Sequence, residues 1–140
     1  MKHYIGTKLI KALPMTRKEY NDFRGWELPA DENGDDAGYL VEYADGGQAN
    51  TEKYAGYVSW SPTAVFEQAY EELPEHDETK SHVTRLAGER TQLVNKLNKL
   101  TAFQSADVFF GLSFKQQDLL RKQAVVMGDY LAILDSRLWE

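Results

Sequence analysis

Two long stretches with leucines at helical spacing dominate the second half of this chain. In the first, from about Lys80 to Phe103, the leucines stand seven, four and three residues apart: Leu86, Leu93, Leu97 and Leu100. In the second, from about Phe114 to Leu138, a similar set comprises Leu120, Met127, Leu131, Leu134 and Leu138. Such spacing places each set on one helix face. With only a short break between the stretches, the pattern predicts an antiparallel helical hairpin.

The second of these helices carries more apolar surface than one neighbouring helix can bury. Beside its leucine seam runs another apolar stripe: Leu119, Val126, Tyr130 and Ile133. Together the two stripes exceed the arc of roughly 100° that one neighbour covers. Because burial of a Leu or Ile is worth about 1.5–3 kcal/mol, we expect the N-terminal part of the chain or a second copy to cover this stripe. We favour a homo-oligomer.

The residues before Pro74 have a different composition, rich in Gly, Pro and aromatic side chains. Residues 1–76 hold 14 acidic and 7 basic side chains, whereas residues 77–140 hold 8 and 9. Alternating apolar residues and turn signals predict three strands, which begin near Tyr4, Gly38 and Gly56. Capping residues predict two short helices, which begin near Arg17 and Pro62. In the last helix we expect Val65 and Phe66 to be buried. The fold class is therefore α+β, with a small α+β module over residues 1–74 and a helical hairpin over residues 75–140.

Composition excludes several classes of function. The chain has no cysteine, which removes thiol catalysis, disulfides and cysteine-based zinc sites. No apolar run approaches the roughly 20 residues that cross a bilayer, and a net charge of −6 disfavours a nucleic acid polymer as partner. Asp31, Asn33, Asp35 and Glu42 have calcium-loop spacing, but the turn position lacks its glycine and Glu42 falls in a predicted strand. We expect no metal, no cofactor and no membrane partner.

Catalytic motifs do not emerge from the sequence either. His3, His76 and His82 have no plausible Ser and Asp partners, and neither a glycine-rich phosphate loop nor a diagnostic carboxylate pair is present. A binding protein is therefore the better interpretation than an enzyme. One aromatic set forms either the core of the sheet or a ligand cleft: Trp26, Tyr39, Tyr43, Tyr57 and Trp60.

The first hairpin helix also carries a stripe of polar residues, each of which stands directly before one of the leucines: Arg85, Gln92, Lys96 and Lys99. In an oligomer, stripes from two chains would form a basic cleft able to hold phosphates; alternatively, they are residues that merely solubilise the flank of the seam. His82 and Arg85 stand at the helix start, where an anion is favoured, although a surface histidine there is common. Tyr130 is either a core residue or a stacking platform, and Arg137 either a ligand contact or a complement to the helix dipole.

The hairpin resembles a family of known proteins. His82 to Phe103 reads H-x-x-R-L-x-x-E-R-x-x-L-x-x-K-L-x-K-L-x-x-F, and Leu120 to Leu138 reads L-x-x-Q-x-x-x-M-x-x-Y-x-x-x-L-x-x-R-L. These segments, about 60 residues, resemble helical-hairpin proteins of tailed bacteriophages, similar to the anti-CBASS and anti-Thoeris sponges. The N-terminal block resembles a small module widespread in phage proteins of unknown role.

The resemblance implies a homo-oligomer that sequesters a cyclic di- or trinucleotide messenger without cleaving it. It implies that Lys96 and Lys99 face phosphates and that Arg137 is the C-terminal arginine of the site. Where such proteins have a stacking aromatic residue, this chain has His82 or Thr84.

We therefore predict a phage anti-defence protein of the host cytoplasm, without catalytic residues. Its ligand-binding residues would be His82, Arg85, Lys96, Lys99, Tyr130 and Arg137. Two alternatives belong to other classes. One is a structural or regulatory phage protein whose hairpin binds another protein, and the other is a nucleotide-processing enzyme that uses the N-terminal cleft.

Overall fold

A computed structural model describes residues 1–45 and 47–140. The described chain divides into two compact units, Met1–Glu71 and Glu72–Glu140. The first unit contains a small antiparallel sheet with short helices, and the second is helical. The predicted α+β fold class is thus confirmed.

The sheet of the first unit has the strand order β1-β2-β3. The elements of this unit are β1 (Ile10–Pro14), α1 (Arg17–Arg24), β2 (Gly38–Tyr43), β3 (Tyr57–Pro62) and α2 (Thr63–Ala69). The strand predicted from Tyr4 is wrong in its first half. Ile10 pairs with Tyr43, the last residue of β2, so β1 begins where the described part of its partner strand ends. Tyr4 and Ile5 are accordingly fully exposed.

The core of the first unit lies between α1 and one face of the sheet. Tyr20, Leu40 and Val58 are buried there, and Phe23 and Trp60 pack against them. Helix α1 begins at the predicted cap, where the Thr16 Oγ1 accepts a hydrogen bond of 3.2 Å from the Glu19 N–H.

Helix α2 differs from its prediction. Pro62 ends β3 instead of opening the helix, and Ser61 does not cap it. Phe66 does pack, with its ring stacked on Tyr39 at a centroid distance of 4.0 Å. Val65, however, is exposed, because a helix of 7 residues presents only a narrow face to the sheet.

The second unit is the predicted hairpin. It comprises α3 (Ser81–Phe103), a short α4 (Asp107–Phe110) and α5 (Phe114–Leu138). Helix α5 starts with the predicted capping box, in which Ser113 Oγ accepts from the Gln116 N–H and the Gln116 side chain accepts from the Ser113 N–H. The buried Phe109 of α4 packs edge-on against Phe103 and so closes the turn.

Two polar contacts fix the antiparallel register of α3 and α5. Near one end, Arg90 forms an ion pair with Asp135. Near the other, the Gln104 Nε2 donates a hydrogen bond of 3.1 Å to the Leu120 carbonyl. The seam residues Leu86, Leu93 and Leu134 are all buried, with Met127, Leu131 and Leu138 packed against them. Six of the nine predicted seam residues thus form the core of the hairpin, whereas Leu97, Leu100 and Leu120 are half-buried.

Candidate functional site

One side of the hairpin carries five of the six predicted ligand-binding residues. Every member of this side immediately precedes a seam residue of its own helix. From α3 come Arg85, Gln92, Lys96 and Lys99, and from α5 come Leu119, Val126, Tyr130, Ile133 and Arg137. We call these nine residues the flanking face.

The two helices contribute to the same side for a geometric reason. A residue that precedes a seam position is rotated from it by about 100°. The helices run in opposite directions and their seams point at each other, so the same rotation about each axis turns both sets to one side. The register then places Lys96 level with the middle of α5, where Tyr130 lies, and Arg85 near the end that carries Arg137.

The apolar part of the flanking face is not covered by the hairpin. Leu119, Val126 and Ile133 are 55%, 64% and 59% exposed, respectively. Tyr130 is 41% exposed, so the interpretation of this residue as part of the hairpin core is wrong. A row of large apolar side chains at this exposure, on a helix that buries its other apolar stripe, is typical of a contact surface.

The cations of the flanking face differ from three of the five other cations in the hairpin. Lys80, Arg90 and Lys122 each pair with a carboxylate, those of Asp77, Asp135 and Asp118. Within residues 1–45 and 47–140, by contrast, no carboxylate pairs with the four flanking-face cations Arg85, Lys96, Lys99 and Arg137. Glu89 lies one turn after Arg85 on this side of α3. Cations without partners are available to charge-assisted hydrogen bonds with an anionic ligand.

His82, the sixth predicted residue, is exposed in the first turn of α3, three residues before Arg85. The N-cap of that helix, Lys80, makes no side-chain capping bond. His82 is therefore placed beside the Arg85 and Arg137 end of the flanking face, at a helix start that favours negative charge.

The segment before α3 is held by His76, whose role the sequence did not reveal. The His76 Nδ1 donates to the Pro74 carbonyl at 2.7 Å, and the Nε2 lies 3.1 Å from the Thr84 Oγ1 on the first turns of α3. Next to it, the Asp77 carboxylate accepts hydrogen bonds from the side chain and backbone of Thr79, which lower the pKa of Asp77. These bonds fix the chain that leads into the helix start.

The aromatic set of the first unit splits into two groups. Trp26, Tyr57 and Trp60 line a cavity of about 500 Å³ against α1. Tyr39 packs on α2 instead, and the Tyr43 ring lies 6.3 Å from that of Tyr57. The set is therefore partly packing and partly cavity wall.

Two features of the described residues bear on other classes of site. In residues 1–45 and 47–140, no three His, Asp or Glu side chains come together as ligands for a metal ion. The same part of the chain contains no helix with the length and apolar character that crossing a membrane requires.

The hairpin is similar to a known family. Residues 80–140, which span α3 to the end of α5, match the family model described as Sequestin. The match covers somewhat less than half of the chain and includes all six predicted ligand-binding residues. No curated protein and no solved structure matches the chain at the significance required.

Proposed function

We propose that this protein is a phage anti-defence protein that sequesters a cyclic di- or trinucleotide immune signal in the host cytoplasm without cleaving it. The observation that carries the proposal is the flanking face, on which four cations that pair with no carboxylate of residues 1–45 and 47–140 border an exposed apolar stripe. The match of the hairpin to a family whose name denotes sequestration supports the same function.

The uncovered stripe accounts for oligomerisation in this proposal. Packing the α5 stripe of one chain against that of a second chain buries Leu119, Val126 and Ile133, each worth about 1.5–3 kcal/mol. A two-fold contact uses the same patch on both chains. It therefore brings the cationic stripes of both copies of α3 to the edges of one shared cleft.

The same contact explains affinity for a ligand with several phosphates. Lys96 and Lys99 from two chains repel one another when the cleft is empty, and phosphate groups relieve this repulsion through charge-assisted hydrogen bonds. Arg85 and Arg137 add charge at one end, where His82 meets a base, and Tyr130 supplies a ring for stacking. Because the protein binds the signal without cleaving it, each site removes one molecule of signal. The number of signal molecules removed is therefore limited by the amount of protein.

A second candidate is a phage structural or regulatory protein whose hairpin binds another protein. It is favoured by exposed apolar side chains at the hairpin turn, namely Val108, Phe110 and Phe114. These lie at the far end of the hairpin from Arg85 and would suit an apolar partner surface.

Calorimetry with a panel of cyclic di- and trinucleotides tests the proposal, with the linear form of each nucleotide as the matched control. We expect saturable binding of at least one cyclic compound and its intact recovery after heat denaturation. Recovery of a linear product would point to an enzyme. Absence of binding to every compound would contradict sequestration and leave protein binding as the better function.

A further inference from the structure

The cavity of the first unit is lined by one face of α1 and by β3. Arg17, Tyr20, Asn21 and Arg24, which follow helical spacing, form one wall, and Tyr57 to Trp60 of β3 form the other. Trp26 stands at the rim just beyond the end of α1. At about 500 Å³, the cavity is within the size range of small-molecule sites.

Asn21 is an unusual residue for such a wall. It is only 5% exposed, yet within residues 1–45 and 47–140 its side-chain amide makes no hydrogen bond. Among those residues, Thr51 Oγ1 is the one side-chain polar atom that is both fully shielded from solvent and without a hydrogen bond. The Asn21 amide atoms, which also lack a hydrogen bond, are therefore still in contact with solvent. Asn21 lines the cavity, so its amide can offer a donor and an acceptor to a ligand there.

A tight helix end brings the backbone of Trp26 back to that of Asn21. Gly25 adopts a φ of 72°, and the Trp26 N–H donates to the Asn21 carbonyl at 2.8 Å. This reversal ends α1 and returns Trp26 over it. Trp26 is 52% exposed, so its ring offers an aromatic surface for stacking, whereas the Tyr57 side chain points to the other face of the sheet, beside Tyr43.

The charges of the cavity favour an uncharged ligand. Arg17 is neutralised by a two-pronged pair with Glu32, at 2.7 and 3.0 Å, and Arg24 shares the cavity with Glu27. Residues 1–71 hold 12 acidic and 7 basic side chains, which disfavours a phosphate. A cationic ligand is disfavoured too, because the guanidinium groups already lie over Trp26 at 4.3 Å and Trp60 at 5.0 Å.

We propose that this cavity is a binding site for the uncharged base of a nucleoside. The base stacks on the part of the Trp26 ring that Arg24 leaves exposed, and the Asn21 amide pairs with a donor and an acceptor on its edge, as Asn amides do with N6 and N7 of adenine. A planar ring without a hydrogen-bond donor and acceptor on its edge would displace water from the Asn21 amide without replacing the hydrogen bonds of that water. The site thus selects nucleobases over simple aromatic compounds.

Titration of the full chain with adenosine and with purine riboside, which lacks the exocyclic amino group, tests the proposal. We expect saturable binding of adenosine and about tenfold weaker binding of purine riboside, since one hydrogen bond is lost. In Asn21→Leu the two compounds should bind alike. Asn21→Asp preserves the side-chain size but removes the donor, so it should also weaken adenosine binding while circular dichroism stays unchanged.

The test separates this site from the flanking face. Lys96→Ala with Lys99→Ala should leave adenosine binding unchanged, whereas Asn21→Leu should leave cyclic nucleotide binding unchanged. Loss of adenosine binding in the double lysine variant would assign adenosine to the hairpin and overturn the proposal. Failure of adenosine, guanosine, cytidine and uridine all to saturate the protein would also overturn it, as would unchanged discrimination in folded Asn21→Leu.

Discussion

The side-chain amide of Asn50 forms hydrogen bonds of 2.8 Å with both the N–H and the carbonyl of Val58. Val58 lies in β3, an edge strand of the sheet, and is fully buried. The amide therefore takes the place of a neighbouring strand at this residue. An edge strand with free backbone groups is a template for pairing with another chain, and Asn50 removes that opportunity at Val58, near the start of β3.

We expect Asn50→Ala to destabilise the protein by about 1–3 kcal/mol, because it leaves a buried donor and acceptor without partners. Chemical denaturation followed by tryptophan fluorescence measures the change. Gln48→Ala, in an exposed residue of the same loop, is the matched control and should have little effect. If both variants had the same free energy of unfolding, water would be replacing the Asn50 hydrogen bonds to Val58 without loss of stability.

The hairpin could be predicted from the sequence because its determinants are local. The Leu120 to Leu138 seam and the Ser113 capping box gave α5 the bounds that the structure has. Pairing between distant residues could not be predicted in this way. The start of β1 depends on where β2 ends, and the cavity around Asn21 depends on contact between α1 and β3, more than 30 residues later.

The apolar stripe of the flanking face should control assembly. Val126→Glu together with Ile133→Glu should give a smaller species in sedimentation velocity, because unpaired charges are strongly disfavoured in a buried contact. Ala132→Glu with Ser136→Glu adds the same charge to exposed residues on the face of α5 opposite its leucine seam and should not change the sedimentation. An identical profile for both variants and the parent protein would contradict the proposed interface.

The carboxyl group of Asp77 should titrate below its ordinary pKa of 3.8. The cause is hydrogen bonding from the side chain and backbone of Thr79, so the folded state favours the ionised form. Its contribution to stability is therefore present above pH 3.8 and is lost as the pH falls through the lowered pKa. NMR titration measures this value, and Thr79→Val should raise it by removing the hydroxyl donor. A pKa of Asp77 that is the same in both proteins would show that the hydroxyl has no part in it.

Ligand binding should depend on Lys96 and Lys99 of α3, which pair with no carboxylate in the part of the chain that the structure describes. Lys96→Ala with Lys99→Ala removes two charged hydrogen bonds to phosphate, each worth about 1.5–3 kcal/mol. Because each 1.4 kcal/mol is about tenfold, affinity for the cyclic nucleotide should fall by roughly a hundredfold or more in calorimetry.

The matched control for these lysines is Lys80→Ala with Lys122→Ala, which removes the same charge at residues that already pair with Asp77 and Asp118. This variant should bind almost as the parent protein does. Both variants should assemble normally, since Lys96 and Lys99 are exposed and lie beside the leucine seam, outside the buried contacts between α3 and α5. Normal affinity in the assembled Lys96 and Lys99 variant would show that the phosphates bind elsewhere.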